Sequence, residues 1–180
     1  MSWTATTTLR SHSLVEGGVS EGVPSYLRRV EVEVEDGEGE AVHLAVDSLR
    51  GVLYLVQIGV LEIHTWGARR DRLDRPDRMN FDLDPDPSLP FRAVVDAAVE
   101  FRARLAGVGL AAFVKTSGGK GLHVVVPLSR GGTWDELHDV SRAFAREMAD
   151  REPGRYLAEA SKAERSGKIY VDFQRNAYAA

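Results

Sequence analysis

The stretch FVKTSGGKGLHVVVPL, residues 113–128, constrains the fold more than any other part of the chain. Two apolar runs flank a short loop, residues 117–121, that contains three glycines. Short apolar runs rich in valine are typical of strands, and a glycine-containing connection of this length joins strands that pair antiparallel. The stretch therefore predicts a β-hairpin, so that at least part of the sheet is antiparallel.

Further strands and helices alternate along the rest of the chain. RRVEVEVE alternates valine with charge, as a half-buried strand does, and AVHLAV, VLEIHTW, RMNFDLD and GKIYVDF are predicted as further strands. DSLRGVLYLVQIG, PFRAVVDAAVEFRARLAGVG and WDELHDVSRAFAREMA are predicted as helices, the last of them opened by a capping box at Thr133 and Glu136. The pattern predicts an α/β (α+β) fold, with a mixed, largely antiparallel sheet and helices packed on it.

The apolar spacing predicts which helical faces are buried, and the length predicts the domain organisation. The first helix should bury one face formed by Leu49, Val52, Leu53, Leu55 and Val56. The second should bury Phe91, Val94, Val95, Ala98, Phe101 and Leu105. At 180 residues the chain suits a single domain over 1–180, in which residues 1–23, which lack periodicity, form a loosely ordered arm.

Composition excludes several classes of protein. The chain has no cysteine, which excludes a disulfide framework and a zinc site built on thiolates. No apolar run reaches membrane-spanning length and MSWT does not begin a signal peptide, so that we expect a soluble cytoplasmic protein without a membrane partner. The net charge of −4 gives no global basic surface for nucleic acid, although a local basic groove is compatible with it.

A pair of aspartates in FDLDP predicts a metal site. Strand periodicity puts Asp82 and Asp84 about 7 Å apart on one face, where the two carboxylates repel each other unless a cation neutralises them. A hard divalent ion such as Mg²⁺ or Mn²⁺ prefers carboxylate oxygens. Asp172, in YVDF, adds a third carboxylate within an apolar strand, where it needs a partner. The alternative is an acidic solvent face at the end of a strand.

The glycine-rich loop of the hairpin predicts an anion site or a simple turn. It leads into a strand and has the wrong glycine spacing for a Walker-type phosphate loop. Glycines nonetheless let the backbone approach a ligand closely, and their N–H groups can form a nest for an anion. A hydroxyl, a positive charge and an imidazole accompany them, on Ser117, Lys120 and His123. From these residues alone, a phosphate site and a plain turn both remain open.

Four segments together resemble a known family. GVLEIHTWG, DRPDRMNFDLDP, FVKTSGGKGLHVVVPL and GKIYVDFQRN occur in the order seen in the polymerase domain of bacterial ligase D, and the resemblance extends over roughly Gly22 to Asn176. That family belongs to the archaeo-eukaryotic primase superfamily and fills in broken DNA ends during non-homologous end joining. The resemblance implies a primase-polymerase catalytic core. It implies a DNA-directed DNA/RNA polymerase, that is, a nucleotidyltransferase that extends a DNA 3′ end from nucleoside triphosphates on a template.

The same resemblance implies roles for individual residues. Two ions, Mn²⁺ or Mg²⁺, would be held by the catalytic residues Asp82, Asp84 and Asp172. The nucleotide would be bound by His64, Ser117, Gly118, Gly119, Lys120, His123 and Arg165. Taken alone, His64 could be a strand-end histidine beside Trp66, and Arg165 a solvated arginine before a turn. The arginines of GARRDRLDRPDR could contact DNA phosphates or form surface ion pairs with the interleaved aspartates.

Partners and alternatives also follow from the resemblance. The expected partners are nucleoside triphosphates, a DNA primer–template or broken DNA ends, and a ligase and end-binding repair proteins, at the bacterial nucleoid. Compared with the family, we expect this chain to be truncated at both ends, without the portion that recognises a 5′-phosphate. Two alternatives are a stand-alone primase and a catalytically degenerate module that binds nucleotide or DNA. Three carboxylates held together favour catalysis over the degenerate module.

Overall fold

The computed structural model describes residues 5–7, 23–33, 40–60, 66–69, 71–129, 131–161 and 164–178. The chain forms two compact units, Met1–Leu73 with Ala179, and Asp74–Tyr178 with Ala180. The single domain over 1–180 stays a prediction, and each unit is described by itself. Within the described residues, no helix has both the length and the apolar character needed to cross a lipid bilayer.

The first unit contains a three-stranded antiparallel sheet and one helix. Its strands are β1 (Ala5–Thr7), β2 (Arg28–Glu33) and β3 (Glu40–Val46), in the order β1-β3-β2. β1 falls in the stretch predicted as a loosely ordered arm; residues 8–22 lie outside the described residues, so that the arm as a whole stays a prediction. Helix α1 (Leu49–Gln57) begins after Ser48, whose hydroxyl accepts a hydrogen bond from the Gly51 N–H.

The predicted buried face of α1 is wrong. Leu55 is buried, but the other four residues of that face, Leu49, Val52, Leu53 and Val56, are between 41% and 74% exposed. The helix packs through Gly51 and Leu55, which lie one turn apart. A Cβ at residue 51 would lie 2.8 Å from a methyl group of Val46 and 2.9 Å from one of Leu27. The close approach that glycine permits therefore decides which side of this apolar helix is buried.

The second unit is built on a five-stranded sheet. Two short strands, β4 (Ala68–Arg69) and β5 (Arg72–Pro76), form a separate two-stranded sheet, and the division between the units falls within β5. The five strands lie in the order β7-β8-β6-β10-β9. Their bounds are β6 Arg78–Pro85, β7 Phe113–Thr116, β8 Leu122–Pro127, β9 Tyr156–Leu157 and β10 Ile169–Asp172. Only the β9–β10 pair among these is parallel, which confirms the predicted mixed, largely antiparallel sheet.

Two helices cover one face of this sheet. Helix α2 (Phe91–Gly107) packs on β6 and β8, and α3 (Trp134–Arg151) packs on β6 and β9. The rings of Phe81, Phe101 and Phe144 lie 5.4–5.5 Å apart between sheet and helices. The predicted capping box is present at the start of α3. Phe91, predicted to be buried, is exposed because the buried stripe of α2 begins one turn later.

A hydrogen-bond network joins α2 to β9. Glu100 accepts hydrogen bonds from the Tyr156 hydroxyl at 2.7 Å, from Arg104 at 2.7 Å and from Arg155 at 3.0 Å. Burial raises the pKa of Glu100, but the hydrogen bonds from Tyr156 and Arg104 and the charge of Arg155 outweigh it, so that the pKa lies below the ordinary 4.5. The network therefore stabilises the ionised carboxylate.

Replacing Tyr156 by phenylalanine should lower the free energy of unfolding by about 1.5–3 kcal/mol, because it removes a hydrogen bond to a charged group. A depressed carboxyl pKa contributes stability above its unfolded value, and this contribution is lost as the pH falls through the folded pKa. The difference between the two proteins should therefore be full at pH 7 and shrink below pH 4.5. Urea titrations at several pH values measure it. A difference that is independent of pH would contradict the role of Glu100.

Candidate active site

The five-stranded sheet has a second face, opposite α2 and α3. Along β6, Met79, Phe81 and Leu83 are buried beneath the helices, whereas the alternate residues are only partly buried. These alternate residues include Asp82 and Asp84. We call this face, which bears Asp82, Asp84 and Asp172, the aspartate face.

Strand register brings the predicted site residues together in a row. Asp172 on β10 lies directly opposite Asp82 on β6, and His123 on β8 lies opposite Asp82 on its other side. Lys115 on β7 lies opposite His123. Directly opposed residues in antiparallel strands project to the same face, with Cα atoms about 4.5–5.5 Å apart. Lys115, His123, Asp82 and Asp172 therefore form one row across four strands.

Asp84 lies one pleat further along β6 and is bound by two cations. The Arg165 guanidinium donates a hydrogen bond to Asp84 Oδ2 at 3.0 Å, and Lys120 Nζ lies 3.4 Å from Oδ1. Lys120 also donates to the Pro85 carbonyl at 3.0 Å. The Arg165 guanidinium stacks 4.2 Å from the ring centre of Tyr170, which lies opposite Asp84 on β10. Side chains of the protein thus neutralise the carboxylate for which the sequence predicted a metal ion.

The other two aspartates have different partners. Asp82 Oδ2 lies 3.5 Å from His123 Nε2, and Asp172 Oδ1 accepts a hydrogen bond from the backbone N–H of Gln174 at 2.8 Å.

Tyr170 lies next to these carboxylates on β10. Burial, and then the negative charge of Asp172, raise the pKa of Tyr170 above its ordinary value of 10.0. The phenol is therefore a hydrogen-bonding group here and has no role as a base near neutral pH.

The fit of a divalent cation depends on these three carboxylates. Among the described residues, no three histidine, cysteine or acidic side chains are arranged so that they could hold a metal ion as they stand. The donor chemistry and the backbone positions do fit, because two carboxylates face each other on adjacent strands and the third lies one pleat away. The Asp84 carboxylate would have to exchange Arg165 and Lys120 for the ion.

The hairpin predicted at residues 113–128 is confirmed, and its loop is exposed. β7 and β8 pair antiparallel, and Ser117, Gly118, Gly119 and Lys120 are all exposed between them. Gly118 has φ +85°, a conformation that favours glycine. A Cβ at residue 121 would lie 2.7 Å from the Leu83 carbonyl, so that glycine is required where the loop enters β8 beside β6. The phosphate-binding role of the loop stays a prediction.

Two further predictions have different outcomes. His64 lies outside the described residues, as does most of the strand predicted at VLEIHTW. The arginine-rich segment forms exposed ion pairs with its own aspartates, for example between Arg75 and Asp74 and between Arg69 and Asp71. These contacts correspond to one of the two alternatives for this segment, in which its arginines form surface ion pairs with its own aspartates.

Sequence reasoning missed a buried asparagine behind the site. Asn176 is 1% exposed, and its side chain forms two 2.7 Å hydrogen bonds with the backbone N–H and carbonyl of Asn80 on β6. It also donates to the Phe173 carbonyl at 2.9 Å. Asn176 thereby ties the turn after Asp172 to the strand that carries Asp82. An asparagine in a turn is common, so that the sequence carries no signal for this role.

The chain matches a known protein family over nearly its whole length. Residues 6–180 match the family described as LigD, primase-polymerase domain. The chain is 44% identical over 133 residues to the multifunctional non-homologous end joining protein LigD of Pseudomonas aeruginosa, a match that covers 74% of this chain and 16% of that protein. It is 30% identical over 166 residues to the LigD repair protein of Mycobacterium tuberculosis, covering 85% of this chain and 21% of that protein.

A solved structure has the same fold. It is the polymerase domain of Mycobacterium tuberculosis ligase D in complex with DNA, with a TM-score of 0.79 and 22% sequence identity. The match covers 98% of this chain and 64% of that chain, whereas the chain spans only 16% and 21% of the two curated relatives. The family match over residues 6–180 and the similarity to LigD proteins lead to one conclusion: this chain belongs to the LigD primase-polymerase domain family.

Proposed function

We propose that this chain transfers nucleotides from nucleoside triphosphates to a DNA 3′ end, with a second strand as template, in bacterial non-homologous end joining. The observation that carries the proposal is the row of Asp172, Asp82 and His123, with Asp84 one pleat away. The names of the related proteins supply the pathway, and the related domain in complex with DNA supplies the class of partner. A ligase and end-binding repair proteins as partners, and the nucleoid as the place of action, belong to the same proposal.

The three aspartates would hold two divalent ions, Mn²⁺ or Mg²⁺. When bound, such ions activate the attacking 3′-hydroxyl and stabilise the charge of the triphosphate and its leaving group. The chain's own contribution is to fix the carboxylates on adjacent strands of one sheet. Strands position side chains more rigidly than loops do, and phosphoryl transfer depends mainly on positioning and electrostatic stabilisation.

The triphosphate would bind beside these carboxylates, along the loop at residues 117–121. The exposed glycine backbone with Ser117 can receive phosphate oxygens. Lys120 of the loop contacts Asp84, and His123 on β8 contacts Asp82, so that both side chains lie next to the aspartates. Arg165 supplies a further cation. Its Nε is buried and has no hydrogen-bond partner in the described part of the chain, so that a bound nucleotide could provide one. His64 completes the proposed nucleotide contacts.

Replacing Lys120 by glutamine should weaken the binding of a nucleoside triphosphate at least about tenfold, because it removes a charge-assisted hydrogen bond to phosphate. Isothermal titration in the presence of Mn²⁺ measures the affinity. Arg142→Gln is a matched control, since it removes one exposed positive charge from α3, where Arg142 pairs with Asp139. If the Lys120 variant and the control bind the triphosphate with equal affinity, the loop is a plain turn without a role in phosphate binding.

A primer-extension assay tests the proposed reaction. Incubation with Mn²⁺, a primer–template and either ribonucleotides or deoxyribonucleotides should give products longer than the primer. Products formed without a primer would instead indicate a stand-alone primase. Nucleotide binding without any product from either substrate would indicate the degenerate binding module.

A further inference from the structure

The edge strand β7 carries two exposed side chains on the aspartate face. All four of its residues, Phe113–Thr116, are exposed. Phe113 lies opposite Val125 and Lys115 lies opposite His123, so that both project to the same face as the aspartates. Val114 and Thr116 project to the opposite face.

The strand register fixes the distances of these two side chains from Asp82. Lys115 is two strands away from Asp82, which corresponds to about 10 Å. Phe113 lies about 7 Å further along β7, in the direction away from the loop at residues 117–121. The loop and Phe113 therefore lie on opposite sides of the row that contains Asp82.

Phe113 presents an aromatic ring to solvent from the edge strand of the sheet. Its side chain is 62% exposed, although the neighbouring Val125 is partly buried. Among the described residues Lys115 forms no ion pair, whereas Lys120 is bound to Asp84. An exposed aromatic ring beside a free ammonium group is the combination that binds a nucleic-acid strand, since the ring stacks on a base and the cation pairs with a phosphate.

We propose that Phe113 and Lys115 bind the unpaired 3′-terminal nucleotides of the DNA strand to be extended. The inference rests on the proposed function. In phosphoryl transfer the attacking and leaving oxygens lie on opposite sides of the phosphorus. If the leaving pyrophosphate lies along the loop at residues 117–121, the attacking 3′-hydroxyl arrives from the side of Phe113. The ring then stacks on the terminal base, and Lys115 binds a phosphate of the same strand.

The first experiment detects stacking directly, in chelator and without nucleotide. A short single-stranded oligodeoxynucleotide carries the fluorescent base 2-aminopurine at either its 3′ or its 5′ terminus. Binding to the wild-type chain should change the emission of the 3′-terminal base more than that of the 5′-terminal base. Phe113→Ala should abolish the 3′ response. Phe91→Ala is the matched control, because Phe91 is 55% exposed in the same unit and is remote from β7 in sequence.

The second experiment measures affinity with the same oligonucleotides. Phe113→Ala should weaken binding roughly 5- to 30-fold, and Phe113→Tyr should restore it, because a tyrosine ring also stacks. Lys115→Gln should weaken binding and reduce the slope of log affinity against log salt by about 0.7, the value for one lost phosphate contact on a single strand. Phe91→Ala should change neither quantity.

The outcomes separate this inference from the proposed reaction. An unchanged 3′ response and unchanged affinity in Phe113→Ala overturn the inference, even if the wild-type chain extends primers. Equal responses of the 3′- and 5′-terminal bases, or no binding of the oligonucleotide by the wild-type chain, overturn it as well. A 3′ response that depends on Phe113, in a chain that extends no primer, supports the binding site and counts against the reaction.

Discussion

Replacing Asp84 by alanine should reduce nucleotidyl transfer on the order of 10³-fold and leave the protein folded. The change removes one of the three carboxylates proposed to hold the ions. It leaves the sheet intact, because the side chain of Asp84 is partly exposed on the aspartate face. Single-turnover primer extension at saturating Mn²⁺ measures the rate.

Thermal melts of the same variant distinguish a metal ligand from a structural aspartate. In chelator, Asp84→Ala loses ion pairs with Arg165 and Lys120 that are worth about 0–1 kcal/mol each, and it also loses the repulsion from Asp82. We therefore expect a melting temperature close to that of the wild type. Added Mn²⁺ should raise the melting temperature of the wild type but raise that of the variant less, since a ligand stabilises only the state that binds it.

Asp86 provides a matched control two residues away. Its carboxylate accepts hydrogen bonds from the hydroxyl and the backbone N–H of Ser88, and these bonds hold the pKa of Asp86 below its ordinary value of 3.8. Asp86→Ala should keep its activity and the full manganese increment, and should lose stability chiefly at pH values above the depressed pKa. If Asp84→Ala melts lower in chelator and keeps the full increment, Asp84 is structural.

Replacing Asn176 by alanine should lower the free energy of unfolding by about 2–4 kcal/mol, the largest effect on stability that we expect from a polar residue here. The change leaves the Asn80 N–H and two carbonyl oxygens without their partner in a buried site. Asn176→Asp should be at least as destabilising, because it keeps the acceptor, loses both donors and buries a charge. Urea denaturation measures both variants.

The same variant should also affect the reaction, because Asn176 ties the turn after Asp172 to β6. We expect a lower kcat with little change in triphosphate affinity. A residue that contributed only to the stability of the fold would not change kcat at a temperature where the variant remains folded. Ser166→Ala, in the exposed turn before β10, is the control and should stay within about 0.5 kcal/mol of the wild type. If Asn176→Ala is as stable as this control, the hydrogen bonds of Asn176 do not contribute to stability as expected.

Local patterns in the sequence predicted the parts of the fold that depend on neighbouring residues. The hairpin, the capping box and the shared face of Asp82 and Asp84 follow from spacings of a few residues. The buried side of α1 could not be predicted, because its apolar residues extend well beyond the side that packs and a glycine decides which of them is buried. Which side of this helix is buried depends on the shape of the segments that it packs against, and the sequence of the helix alone does not contain that information.

Contacts between distant segments were equally out of reach. The pairing of Asp172 with Asp82 and the ion pair of Arg165 with Asp84 join residues that are far apart in the chain. The resemblance to ligase D polymerase domains named these residues as a set, but it gave no register and no hydrogen-bond partners. Arg165 and Lys120 as the counter-ions of Asp84 were therefore not anticipated.

The order of the strands has a consequence for how the proposed site forms during folding. β10 follows the other four strands of the five-stranded sheet in sequence, yet it lies inside the sheet, between β6 and β9. Its insertion closes contacts over a long stretch of chain, and such non-local pairing slows folding. A polypeptide still emerging from the ribosome has exposed edges on both neighbours of β10 and lacks its third carboxylate. Completion of the sheet and completion of the proposed set of three carboxylates are therefore one folding event, so that a chain in which β10 has not yet paired lacks the proposed metal site.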